Sequence, residues 1–210
     1  MATTANKNAE QQRVTTPTAR ASHAHVFKAQ SPKPGDKPKF SLTFLIPKTA
    51  DMKGIQRAIT AAKVAKFGDN KAKWPQDLES PVKDGDGKAG IDRKTGAKKE
   101  GYAGHYVVKA SASEERQPEV VDAQLEPIIN AKDFYSGCYC RANLYAFYWE
   151  YMGKHGISLG LNSVQKVKDG KPFTNRKTAK DVFSPISDDE SGLDQEQVET
   201  EEETSEMDFR

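Results

Sequence analysis

Residues 137–151 read GCYCRANLYAFYWEY, and the alternation inside that stretch decides the fold class. Successive side chains of an extended strand point to opposite faces. The even positions are Cys138, Cys140, Ala142, Leu144 and Ala146, small or aliphatic, followed by Tyr148 and Glu150. The odd positions are Tyr139, Arg141, Asn143, Tyr145, Phe147, Trp149 and Tyr151. A period of two separates these sets, whereas a helical period would mix them. The stretch is therefore a long strand whose small even face suits a tightly curved interior. Its odd face has two uses: packing against a helix, a second sheet or a second copy, or a platform on which unpaired bases stack. Arg141 among the rings would serve the second use, by pairing with phosphate or lying on a base.

Strand signals surround this segment. SHAHVFKAQ, from Ser22, reads as a strand, and the proline-rich turn SPKPGDKP follows it. In KFSLTFLIPK, Phe40, Leu42, Phe44 and Ile46 alternate with Lys39, Ser41, Thr43 and Leu45, predicting one buried face. HYVVKASAS and EVVDAQLEP add further strands, and GISLGLNSVQKV returns after a turn at Gly153 to Gly156, as a hairpin would. One main helix is expected from Met52 to Phe67, where Met52, Ile55, Ala58, Ile59, Ala62 and Ala65 recur every three or four residues and Gly68 ends the pattern. A short helix near Thr178 to Phe183 is also expected. Together these elements predict a mainly β fold: a small, partly open barrel with one main helix, long basic loop insertions and disordered ends. The domains expected are a flexible arm over 1–20, the folded domain over 21–187 and a disordered acidic tail over 188–210.

Residues 69–101 look mostly irregular; within them PVKDGDGKAGIDRKTGAKKEG (81–101) is too rich in glycine and charge to pack, and loops of that length are uncommon unless functional or mobile. The clustered cations Lys94, Lys98 and Lys99 make this segment a candidate flap over a bound strand. Tyr102, His105 and Lys109 beside it are candidate groove residues. Tyr106 and Lys109 differ in parity, so they face the same ligand only across a bulge.

The 210 residues hold 32 bases and 30 acids, for a net charge of +2. The balance is spatial: residues 188–210 carry 11 acids against Arg210, leaving 31 bases and 19 acids in the rest. A basic body with an acidic end indicates a polyanion-binding domain and an interaction tail. No apolar run approaches the ~18 residues of a membrane span, and the start MATTANKNAEQQ lacks the apolar region of a secretory signal. Two cysteines two positions apart indicate a reduced, cytosolic chain.

Other chemistries fit poorly. No GxxxxGK[ST] motif is present. Asp84 and Asp86 begin like a calcium loop, but Lys88 and Thr95 stand where ligands are required. His23 with His25, and Cys138 with Cys140, could supply four zinc ligands if their strands adjoin, although C-x-C is not the common spacing. Ordinary strand histidines and buried small cysteines account for them better, so no metal, cofactor or catalytic residue is expected. In the tail, Met207, Asp208 and Phe209 form an apolar anchor among acids, suited to a partner pocket with a basic rim. The same tail is suited to occupying the domain's own basic groove when DNA is absent.

TPTARASHAHVFKAQ, KFSLTFLIPK, the helix from Ile55 to Phe67, YSGCYCRANLYAFYWEY and HGISLGLNSVQKVKDGK resemble segments of the phage single-stranded-DNA-binding proteins of the DUF2815 family. The resemblance covers about Arg13 to Lys171 and is most specific from Tyr135 to Lys171. It implies an OB-fold-like five-stranded barrel distantly similar to podophage replication ssDNA-binding proteins. It also implies no catalytic activity, a role in phage DNA replication, recombination and repair, and a place in the cytoplasm of an infected bacterium. The tail is similar to acidic tails of such proteins that end in phenylalanine, except that Phe209 is penultimate and Arg210 follows. The function expected is sequence-tolerant coating and protection of single-stranded DNA, with partners among phage or host replication and recombination proteins recruited by the tail. The alternative is a strand-annealing mediator acting as a higher oligomer. A structural virion protein with an aromatic assembly face is a third class and predicts no DNA affinity.

Overall fold

The computed structural model describes residues 10–173 and Ser184. Every helix and strand below lies in the first of two units of the chain, Met1–Thr174. The short helix expected near Thr178 to Phe183 and the acidic tail lie outside the described residues.

Among the described residues eight strands and one main helix form: β1 (Arg13–Thr15), β2 (Ala19–Gln30), β3 (Lys39–Pro47), α1 (Lys53–Phe67), β4 (Val82–Asp84), β5 (His105–Ser113), β6 (Glu119–Val121), β7 (Tyr139–Tyr151) and β8 (Lys154–Lys168). They make a single sheet ordered β1-β7-β2-β3-β5-β8-β6, with β4 on β5 and an additional β7–β8 pairing. The five-stranded barrel expected from the sequence is thus corrected. The sheet has eight strands and is not closed into a barrel, because β5 meets β8 through one parallel pair, Ser111 with Gly160. The extra strands are three residues long (β1, β4, β6), too short for an alternation to announce them. β1 also corrects the arm expected over residues 1–20. Arg13, Val14 and Thr15 pair with Tyr145, Leu144 and Asn143, and Val14 is buried.

The alternation in β7 holds. Cys138, Cys140, Ala142, Leu144 and Ala146 are all buried in the main core. β8 runs antiparallel beside them over almost its whole length, with extra residues in β8 opposite Tyr139/Cys140 and Asn143/Leu144. Helix α1 closes this core with Ile55, Ala58 and Ala62. It sits close to β1, since a Cβ on Gly54 would come 3.1 Å from Val14 Cγ2. Its first turn carries no acid and Met52 offers no capping side chain, so Asp51 Oδ1 accepts the Lys53 N–H instead. Each fully buried large side chain such as Ile55 or Leu144 contributes about 1.5–3 kcal/mol.

β3 departs from the one-faced pattern expected of it. Thr43 and Leu45 are buried as well as Phe40, Leu42, Phe44 and Ile46. Leu45 belongs to a second, smaller cluster with Tyr102 and Val107, against which Ala89 and Phe173 pack. Residues 85–102 cover this face, which corrects the expectation that the segment is too glycine-rich to pack. Its order comes from backbone on backbone. Gly85 N–H donates to His105 O at 2.9 Å and Lys99 N–H to Gly90 O at 2.8 Å. A Cβ on Gly90 would fall 1.8 Å from Gly85 O. Lys48 clasps the start of the loop by salt bridges to Asp84 and Asp86 at 2.7 and 2.8 Å. Beyond it, Asp92 to Ala97 form a small hairpin closed by Asp92 N–H to Ala97 O, with Gly96 at φ 70.

Candidate nucleic-acid interface

The covered face of the sheet leaves a groove of about 940 Å³ between the strands and this loop. β2 contributes His23 and His25, β3 Lys39, Ser41 and Thr43, and β5 Lys109 and Ser111. Register places Thr43 beside Lys109 and Ser41 beside both His25 and Ser111, so small hydroxyls alternate with cations across the floor. β4 adds Lys83, the loop Lys88, Arg93, Lys94 and Lys99, and the β7–β8 hairpin Trp149, Ile157 and Ser158. Seven lysines and arginines line the groove against two acids, Glu79 and Asp92. Asp92 Oδ1 is already engaged by the Lys94 and Thr95 N–H groups, which hold its carboxyl below the usual range. The cations crowd one another: Lys109 is pushed below its ordinary pKa by burial and then by Lys99, Lys83 and Arg93. A polyanion entering the groove relieves that repulsion.

The structure distributes the residues singled out from sequence. Lys94, Lys99, Lys109 and Trp149 come together in the groove. Tyr102 reaches it too, but its ring is 4 % exposed and offers no face. Its hydroxyl meets Ser22 Oγ at 3.1 Å, and Lys99 Nζ lies 5.2 Å from its ring centre. Lys98 is exposed on the loop and pairs in register with Ile91. His105 begins β5, its Nδ1 2.7 Å from Ala103 O, and is not among the groove's lining.

Tyr139, Arg141, Tyr145 and Phe147 share the outer face of β7 with Trp149 but lie outside the groove lining. Tyr145 covers Gly160, whose Cβ would fall 2.0 Å from the ring, and it leans on Phe147 with ring centres 5.5 Å apart. Arg141 donates to Gln165, and Lys168 stands 4.9 Å from the Tyr139 ring centre. Tyr151 is exposed near the hairpin turn. Met207, Asp208 and Phe209 lie outside the described residues. Lys39 is a groove cation that sequence reasoning passed over; Lys83, Lys88 and Arg93 are cations of the basic segment outside its favoured cluster at Lys94 to Lys99, and the two histidines were singled out only as possible metal ligands.

The zinc arrangement does not form. β2 and β7 do adjoin, with Ala19 opposite Cys140. The thiols, however, are buried in the core while His23 and His25 line the groove. Burial raises both thiol pKa values, the opposite of what a metal-binding thiolate needs. Among the described residues no group of histidine, cysteine and carboxylate side chains is placed to hold a metal ion, and no helix is long and apolar enough to cross a membrane.

A family model described as Enterobacter phage Enc34, ssDNA-binding protein, matches residues 12–195. The chain belongs to that family. Its fold matches the single-stranded DNA-binding protein from bacteriophage Enc34 in complex with ssDNA, with a TM-score of 0.62 and 25 % identity, over 78 % of this chain and 90 % of that one. A second structure of the Enc34 protein gives a TM-score of 0.60 at 24 % identity, covering 82 % of this chain and 90 % of that one. Protein p50 of Acyrthosiphon pisum secondary endosymbiont phage 1 is 39 % identical over 77 residues, a match spanning 36 % of this chain and 40 % of that protein. Membership supports the OB-fold-like architecture and the phage origin that the resemblance implied.

Proposed function

We propose that this protein binds single-stranded DNA with little sequence preference, as a coating protein and not as a catalyst, and that the strand lies in the groove between β2, β3, β5 and the 85–102 loop. The observation that carries this reading is the convergence of seven cations and Trp149 on a floor of small hydroxyls. Phosphate attraction alone does not distinguish duplex from single strand. An aromatic face does, because only unpaired bases offer theirs. The outer face of β7, from Trp149 through Phe147 and Tyr145 to Arg141 and Tyr139, continues the path beyond the groove. Lys98 and His105 stand close enough in sequence to serve its margin.

Titration with oligo-dT tests this directly. Trp149 lines the groove. The other tryptophan, Trp74, donates its indole N–H to Gly68 O and has Lys63 over its ring. Base stacking should quench Trp149, so Trp149→Phe abolishes most of the fluorescence change and Trp74→Phe preserves it. A signal that survives in Trp149→Phe would place the bases elsewhere.

The acidic tail, in this proposal, competes with DNA for the groove and recruits partners through Met207, Asp208 and Phe209. Supporting it, Phe173 packs against the Tyr102 cluster, with Arg20 4.0 Å from its ring centre. Phe173 thus stands beside the groove. Deleting residues 188–210 should tighten oligo-dT binding several-fold at low salt, with the gain fading as salt screens it. Equal affinities at low salt would remove the competition from the scheme.

A further inference from the structure

The two histidines left without a role by the zinc reading are not equivalent. β2 carries a bulge: Ser22 pairs with Thr43 and His25 with Ser41, so β2 spends one residue more than β3 over that interval. The bulge puts His23 at φ 48, a conformation sterically disfavoured for any residue with a Cβ and concentrated at functional sites. The Ala24 N–H is picked up by Ser136 Oγ at 3.1 Å, so the distortion is built into the fold.

The bulge aims the imidazole into the groove and into a side pocket of about 410 Å³ that opens beside it. One edge of the ring is anchored. Nδ1 lies 2.9 Å from Ser22 Oγ and 3.3 Å from the Tyr102 hydroxyl, and those two oxygens are 3.1 Å apart. These two hydroxyls satisfy Nδ1 in either tautomer, while Nε2 has no protein partner among the described residues; once the ring is protonated both nitrogens donate, Nδ1 into this triangle and Nε2 outside it. This is a ring held by one nitrogen and presenting the other to whatever occupies the groove.

We propose that His23 is a phosphate-contacting residue of the bound strand, donating from Nε2 to a phosphodiester oxygen, and that strand binding is thereby coupled to uptake of a proton by this imidazole. The proposal rests on the reading of the groove as the DNA path. The groups that face the ring from the surrounding elements are Lys99 and Tyr102 of the loop, Lys109 of β5, His25 of β2, and Asp92 and Glu100 at the side pocket. Burial and then Lys99, Lys109 and His25 lower the pKa of free His23, leaving it neutral near pH 7. A phosphate at Nε2 adds a negative charge in contact with the ring and raises its pKa. The sign follows. Affinity is highest below the free-state pKa, falls as pH rises from the free-state to the bound-state value, and is level above both. Each unit by which the strand raises the pKa is worth about tenfold between those plateaus.

The test is oligo-dT anisotropy at constant ionic strength from pH 5 to pH 8, on the full chain and on His23→Gln, His23→Asn and His25→Gln. Glutamine keeps a donor without titrating, and asparagine tolerates positive φ. Binding by the unaltered chain should weaken several-fold over this range. Both His23 variants should bind with a flat profile, and His25→Gln should keep the slope. In parallel, the His23 ring protons followed by NMR should titrate at higher pH once oligo-dT is added. A slope retained by His23→Gln, abolished by His25→Gln, or absent from the unaltered chain overturns the proposal. If oligo-dT still binds at pH 8 in a salt-dependent manner, the groove reading survives that failure. Absence of oligo-dT binding at every pH is what would remove the groove reading itself.

Discussion

Replacing Lys99 and Lys109 together by glutamate should lower affinity for oligo-dT by a hundredfold or more at low salt. Both ammonium groups line the groove from opposite sides, one on the loop and one on β5. Binding to a single strand falls with salt at a logarithmic slope of about −0.7 per phosphate neutralised. Losing two such contacts makes the slope shallower by about 1.4, and the new negative charges add repulsion. The stability of the free protein should move the other way. Lys109 is held below its ordinary pKa partly by Lys99, so the groove stores like-charge repulsion that the substitutions remove. Chemical or thermal unfolding of the double variant should therefore show no loss. Weak binding together with a lowered Tm would mean that the two lysines support the fold and that the strand lies elsewhere. Parallel titrations of both proteins at three salt concentrations, with a melting curve for each, separate these outcomes.

Gly90→Val should weaken DNA binding at least tenfold without altering a single charge. The loop reaches its seat because two glycines pass where no side chain fits. A Cβ on Gly90 would fall 1.8 Å from Gly85 O, and one on Gly85 would fall 2.1 Å from Tyr102 O and 2.6 Å from His105 O. All of these obstacles are backbone, which no rotamer change removes. Valine must lift the segment from Leu45 and Val107 and carry Lys94 and Lys99 out of position. The loop and its small cluster should open while the main core persists, since it shares no residue with that cluster. Amide exchange should accelerate in residues 85–102 and stay slow in β7 and β8. Gly96→Asn is the control, because Gly96 has φ 70 and a Cβ there would meet nothing within 4 Å, and asparagine accepts that conformation. A Gly90→Val protein that binds DNA normally would show that the loop is dispensable to the groove.

The contrast between β7 and this loop explains what the sequence could disclose. β7 announces itself because its inward residues are small and apolar at every second position, and the structure buries them from Cys138 to Ala146. Burial by side chains leaves a periodic trace in composition. Residues 85–102 are held by amide-to-carbonyl contacts at glycines, and glycine with charge reads as an unstructured linker whether or not the backbone is packed. The second role of β3 was hidden for the same reason. Leu45 reads as lying on an exposed face only because its cover, Tyr102 and the loop, leaves no trace in the pattern. His23 illustrates a third limit. Its aim depends on one extra residue in β2 relative to β3, and relative register is a property of two strands that neither strand encodes alone. The aromatic face was legible as a face, and of its rings the structure brings Trp149 into the groove.

β8 is the last strand of the sheet among the described residues, and it pairs with β5, β6 and β7. It also supplies Ile157 and Ser158 to the groove. A nascent chain that has reached only Gly153 therefore holds every loop cation of the site but lacks the strand that joins β5, β6 and β7. Such a nascent chain leaves the ladder side of β7 unpaired, and exposed strand edges of that kind are prone to aggregate. Assembly has to wait for the strand made last, as is general where contacts join distant parts of a chain. A prematurely terminated product is thus expected to be inert toward DNA and to be cleared, so it does not compete with finished molecules for exposed strands.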